Sequence, residues 1–182
     1  NGKFRRPTGL TTANYSARMK GELLWVYEGL TNYLGEVLTA RSGMWTAEQY
    51  RDAMAINAAD MDHRPGRAWR PLRDTADNAQ VLYNAPGAWA NYRRSVDFYP
   101  EGSLLWLDVD TRLRELSGGA KSLDDFTRLF HGKDAAFAKT SHDVKPYDFE
   151  DVVEALNAVQ RADWAAFLRT RLDSTDVRAP LD

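Results

Sequence analysis

The run from Leu23 to Leu38 constrains the fold more than any other stretch. At helical period, Leu23, Val26, Tyr27, Leu30, Leu34, Val37 and Leu38 share one broad apolar face. A stripe that wide must be covered by other elements. Glu28 stands one position off it, beside Leu24, Trp25 and Thr31, with Asn32 one turn on. A carboxylate so placed snorkels to solvent, or it is paired, protonated or bound to a cation. Gly29 and Gly35 interrupt the run, each at a cost of roughly 1 kcal/mol in a helix interior. Their presence predicts close approach by something else. Asn32 shares the face of Glu28 at i+4, so the two polar groups could serve one site.

The rest of the chain supplies helices to pack against this one. The first spans about 21–41, after an irregular lead-in with a turn at Arg6-Pro7-Thr8-Gly9. Thr46 and Gln49 fit a capping box opening a second, which runs to about Asp60 and ends by His63-Arg64-Pro65-Gly66. A short helical run passes through Val81 and Leu82, and the stretch from Trp89 to Asp97 is ambiguous. A strong helix follows over about 101–117, lined by Leu104, Leu105, Leu107, Val109, Leu113 and Leu116. Ser122-Leu123-Asp124-Asp125 opens another, ending near His131, and residues 133–146 read as an exposed polar loop. Phe149–Val159 is amphipathic, and Asp163 starts a last helix that fades near Leu172. With few stretches at period two, the reading is all-α, on the order of seven helices, several held only by tertiary packing. The domain plan is a basic lead-in over 1–20, a helical subdomain over 21–172, and a linker over 173–182.

Composition narrows the function. The chain of 182 residues suits one domain, and 43% apolar residues with six tryptophans favour a packed core. A formal charge of -2 gives no global argument for nucleic acid; Lys3, Arg5, Arg6, Arg18 and Lys20 are a local basic cluster without a matching motif. No apolar run reaches the ~20 residues needed to span a bilayer. The compartment stays open between cytoplasm and periplasm. The absence of cysteine removes disulfides, thiolate catalysis and sulfur metal ligands. His63, His131 and His142 are unpaired at i+4 and read as loop or capping residues. No zinc-ligand spacing, serine elbow or phosphate loop occurs. Glu28 is left as the best single candidate, short of partners of its own.

Several segments resemble the glycyl aminopeptidase family, zinc peptidases of the gluzincin class with a thermolysin-like catalytic domain and a C-terminal PDZ domain. Trp25-Val26-Tyr27-Glu28-Gly29-Leu30-Thr31-Asn32-Tyr33 resembles the third-ligand motif. Asn1-Gly2-Lys3-Phe4-Arg5-Arg6-Pro7 is similar to the segment that follows the His-Glu-x-x-His helix. Phe98-Tyr99-Pro100-Glu101-Gly102-Ser103-Leu104-Leu105-Trp106 is similar to a later segment with a functional tyrosine, and the likeness continues through Ser122–Phe126 and Asp163-Trp164. The resemblance implies the helical C-terminal subdomain of the catalytic domain, with a PDZ-like domain following. It makes Glu28 the third ligand of a Zn2+ ion and Tyr99 the stabiliser of the oxyanion. Asn32 falls where related enzymes carry an acid that orients a ligand histidine; an amide oxygen can still accept the imidazole N–H. Arg93 and Arg94 either neutralise a substrate carboxylate or pair with Asp97. Glu101 is a candidate for the substrate amine without an assigned role.

The parent would then be a zinc aminopeptidase acting on peptides near a free N-terminus. The two histidines and the general base would lie upstream of residue 1, so the piece alone should be inactive and hold no zinc. Its cleft face should be exposed or covered by self-association. The competing reading is a non-catalytic helical interaction domain that keeps the scaffold.

Overall fold

A computed structural model describes residues 4–82, 87–132 and 144–179. Within them the fold is helical, with one small sheet. Strand β1 (Arg5–Pro7) pairs in parallel with β2 (Lys145–Tyr147), Arg6 opposite Pro146. The pairing ties the basic lead-in to the later helices. Arg5 is buried there, its guanidinium 4.2 Å from the centre of the Phe130 ring.

The central layer is a helix pair. Helix α1 (Leu30–Arg41) is preceded by a π-turn over Trp25–Gly29, and together they cross α6 (Pro100–Leu116). The expected α-helix over 21–41 is thus an α-helix only from Leu30. The Trp25 carbonyl, at the start of that wider turn, also accepts the Trp106 indole N–H at 2.9 Å. The two indoles stack at 5.8 Å.

The crossing point is glycine on glycine. A Cβ at Gly29 would stand 2.9 Å from the Gly102 Cα and 2.9 Å from the Phe98 carbonyl oxygen, so only hydrogen fits. Gly35 corrects the sequence reading, because a Cβ there would meet nothing within 4 Å. It faces open space. The apolar face is also narrower than its pattern: Leu30 and Tyr33 are buried, whereas Leu38 is exposed, as is Leu116 at the far end of α6.

Around this pair pack α2 (Ala47–Asp62), the short α3 (Leu72–Asp77), α4 (Ala79–Leu82) and α5 (Ala90–Arg93), then α7 (Leu123–His131), α8 (Phe149–Val159) and α9 (Trp164–Asp173). The ambiguous stretch 89–97 resolves into α5 followed by an extended turn at Arg94. The capping boxes at Thr46/Gln49 and Ser122/Asp125 form, and Asp148/Asp151 makes a third that the pattern had not shown. Trp106, Val109 and Leu113 of α6 form one core with Phe126, Phe130, Val152, Leu156, Trp164 and Leu168. Asp110 fastens three helices, accepting from the Tyr33 hydroxyl, the Leu123 N–H and Arg114.

The tail is held by side chains of the body. Arg67, fully buried, donates to the carbonyls of Asp176 and Arg178, and the Asp62 carboxylate accepts the Ala179 N–H.

Candidate active site

The glycine crossing sets the spacing of the two residues the sequence singled out. Glu28 precedes Gly29, and Tyr99 caps the N-terminus of α6, three residues before Gly102. Pro100 at the first helical position holds that start. With the backbones this close, the side chains meet. Burial pushes the Glu28 carboxyl above its ordinary value, and a hydrogen bond from the Tyr99 hydroxyl partly offsets that push.

Both residues line a cavity of about 280 Å³ along the outer face of α1. Glu28, Asn32 and Glu36 form one row at helical spacing; Thr31, Gly35 and Thr39 form the next, with Trp45 at the far end. Thr31 and Gly35 are exposed, so this face is open. Gly35 keeps the floor low. The structure therefore brings Glu28, Asn32 and Tyr99 together on one surface.

Glu36 was missed by the sequence reading. It stands two turns from Glu28, about 12 Å along the axis. Its carboxylate accepts the Ser103 hydroxyl of α6 at 2.9 Å. Burial raises its pKa, against a smaller lowering by that hydrogen bond. The signal was available, because Glu36 continues the i+4 row through Glu28 and Asn32.

The remaining candidates lie elsewhere. Arg94 and Glu101 are each about 1% exposed and do not line the cavity. Arg94 donates through Nε to Asp97 Oδ2 at 2.7 Å, through a second nitrogen to Glu101, and through a third to the Arg70 carbonyl. Arg64 pairs with the other oxygen of Asp97. Arg67 Nη1 lies 2.5 Å from Glu101 Oε1 but off the line of a hydrogen bond, so that contact is ionic. Arg93 is half-buried, and its carbonyl accepts from Arg70 at 2.7 Å.

His63 touches the Ala59 carbonyl through Nδ1, at the C-terminus of α2. His131 is held neutral, with its pKa lowered to about 4, first by burial and then by nearby positive charge including Arg5. His142 lies outside the described residues. A larger cavity of about 990 Å³ opens by Trp69, Arg73 and Arg169. Two of its lining charges, Arg73 and Asp173, pair with each other at 3.1 Å, and it holds none of the candidates. Convergent polar groups favour the smaller cavity.

For a metal, the donors within this chain are few. Among the described residues no three His, Cys, Asp or Glu side chains gather. Glu28 fits one arm of such a site: a partly buried carboxylate at the cavity wall, destabilised when charged and relieved by a cation.

Comparison with known proteins bears on this arrangement. A model of the M61 glycyl aminopeptidase family matches residues 1–105. The solved structure of an aminopeptidase N family protein from Idiomarina loihiensis is similar in fold, with a TM-score of 0.76 at 23% identity. The match covers 97% of this chain and 29% of that one, so the chain spans under a third of that protein's length. No curated protein matches.

Proposed function

This chain belongs to the M61 glycyl aminopeptidase family, and from that premise we propose that it is the helical half of a zinc aminopeptidase active site. The observation that carries the reading is the Glu28–Tyr99 hydrogen bond in an open cavity. It joins the two residues that the family likeness makes ligand and oxyanion stabiliser. In the parent, Glu28 would hold zinc with a carboxylate oxygen, alongside two histidines from the segment upstream. Zinc, when bound, polarises a carbonyl and lowers the pKa of water.

The chain's own residues do the rest. The π-turn and the Gly29–Gly102 contact fix Glu28 against the start of α6. Asn32, one turn on, offers an amide oxygen to an imidazole N–H, with less gain in basicity than a full charge would give. The Tyr99 phenol donates to the oxygen that becomes negative as the peptide carbonyl is attacked, a contribution on the order of 10²–10³ in rate. The open row along α1 leaves room for the peptide. The substrates are peptides with a free N-terminus.

The test uses the full-length parent. Y99F should keep its zinc and lose about 10²–10³ in kcat. E28Q should lose zinc and activity together. Y99F with unchanged kcat would overturn the role of Tyr99. The chain by itself should show neither stoichiometric tight zinc binding nor metal-dependent turnover of small peptide amides, and either would overturn the division of the site.

A further inference from the structure

We infer that Arg94 is a positioning residue for Tyr99, acting through the two carboxylates that flank it. The inference rests on the proposed role of Tyr99 and adds a residue that touches neither cavity nor substrate.

The geometry is specific. Asp97 and Glu101 stand two residues before and two residues after Tyr99, and both are about 1% exposed. Arg94 grips one with Nε and the other with a terminal nitrogen, spanning the tyrosine's backbone with one rigid fork. Asp97 also accepts the Glu101 N–H on its carbonyl at 2.8 Å, closing the first turn of α6 over Tyr99. A third Arg94 nitrogen is anchored on the Arg70 carbonyl, outside α6.

Arg94 is held where it would not rest by itself. Its φ of 55° with ψ of 158° is a backbone conformation that residues with a Cβ rarely adopt. Gly66 makes room for it: a Cβ there would come within 2.6 Å of the Arg94 Cγ. Arg64 and Arg67 take the outer oxygens of Asp97 and Glu101, so each acid meets two guanidiniums.

A buried ionic chain of this kind is a poor source of stability, because removing charges from water offsets much of their attraction. What it supplies is a defined geometry. The residue most closely defined is Tyr99, whose hydroxyl must reach both Glu28 and the substrate oxygen. A displacement of 1 Å at such a group costs on the order of 10²-fold in rate.

The test is a double-mutant cycle in the zinc-loaded full-length protein, R94K with Y99F. Lysine keeps the charge and loses the fork. R94K should lower kcat about tenfold with KM and zinc content unchanged. In the Y99F background R94K should cost nothing more, since the group it positions is gone. Binding of a peptide phosphonate, a tetrahedral mimic, should weaken by the same factor in R94K and not further in the double variant. If R94K does not fold, E101Q goes through the same cycle, keeping the shape and weakening one grip. Losses that multiply in the double variant would overturn the inference and leave the role of Tyr99 standing. A Y99F protein with full kcat would overturn both.

Discussion

Gly29→Ala tests how the helix crossing sets the site. Two effects oppose each other. Alanine in place of glycine within a helix gains about 1 kcal/mol of propensity. The added Cβ would stand 2.9 Å from the Gly102 Cα and from the Phe98 oxygen, both backbone atoms that no rotamer change can move. Carbon–carbon contacts settle near 3.5–4.0 Å, so α6 must retreat by roughly 0.6–1 Å. Overpacking of that kind costs about 1–3 kcal/mol. The net expectation is a loss of about 0–2 kcal/mol, or up to about 8 °C in Tm for a chain of this size. The larger effect falls on geometry, since the retreat carries Tyr99 from Glu28, and kcat of the full-length protein should fall by about 10²-fold. Gly35→Ala is the matched control. Its Cβ meets nothing, so it should gain about 1 kcal/mol. Thermal melts and steady-state kinetics read both variants. G29A as stable as G35A, with full kcat, would refute the crossing as the determinant of the site.

Glu36→Gln should raise Tm at pH 7–8, with the gain vanishing near pH 4. Burial raises the Glu36 pKa from its ordinary 4.5, so its contribution to stability is full at low pH and fades as pH rises through the raised value; a gap that widens toward low pH would contradict this. Trp106→Phe removes the donor to the buried Trp25 carbonyl and part of a stacked pair, and should cost about 2–4 kcal/mol by urea unfolding. A loss under about 1 kcal/mol would mean that the π-turn does not depend on that bond.

Much of the scaffold was legible because its signals are local. The capping box at Thr46 and the apolar spacing of 101–117 depend on neighbours a few residues apart; the first formed as read, and the second did so as far as Leu113, with Leu116 exposed. The two glycines show the limit. Gly29 and Gly35 look alike in sequence, yet one meets α6 and the other meets a cavity, a distinction made by a residue 73 positions away in Gly102. The π-turn also escaped, because a helical apolar period does not mark it and the indole N–H that meets its Trp25 carbonyl, from Trp106, is remote in the chain. In the site, Glu28 and Asn32 could be read as a pair from one helix. Their meeting with Tyr99 came only from the likeness to a family, since no spacing rule joins residues 28 and 99. Glu101 showed the opposite failure: an acid at a helix start looks available, and three arginines from elsewhere in the chain had already claimed it and its neighbour Asp97.

The central claim is that the Glu28 carboxylate completes a zinc site with polypeptide from upstream. The direct measurement is an anomalous difference map at the zinc edge from crystals of the full-length protein. The account predicts one peak about 2.0–2.2 Å from a Glu28 oxygen, with the Tyr99 hydroxyl facing the same cavity. A zinc peak with Glu28 turned away from it, or no zinc in a protein that still cleaves peptides, would contradict it.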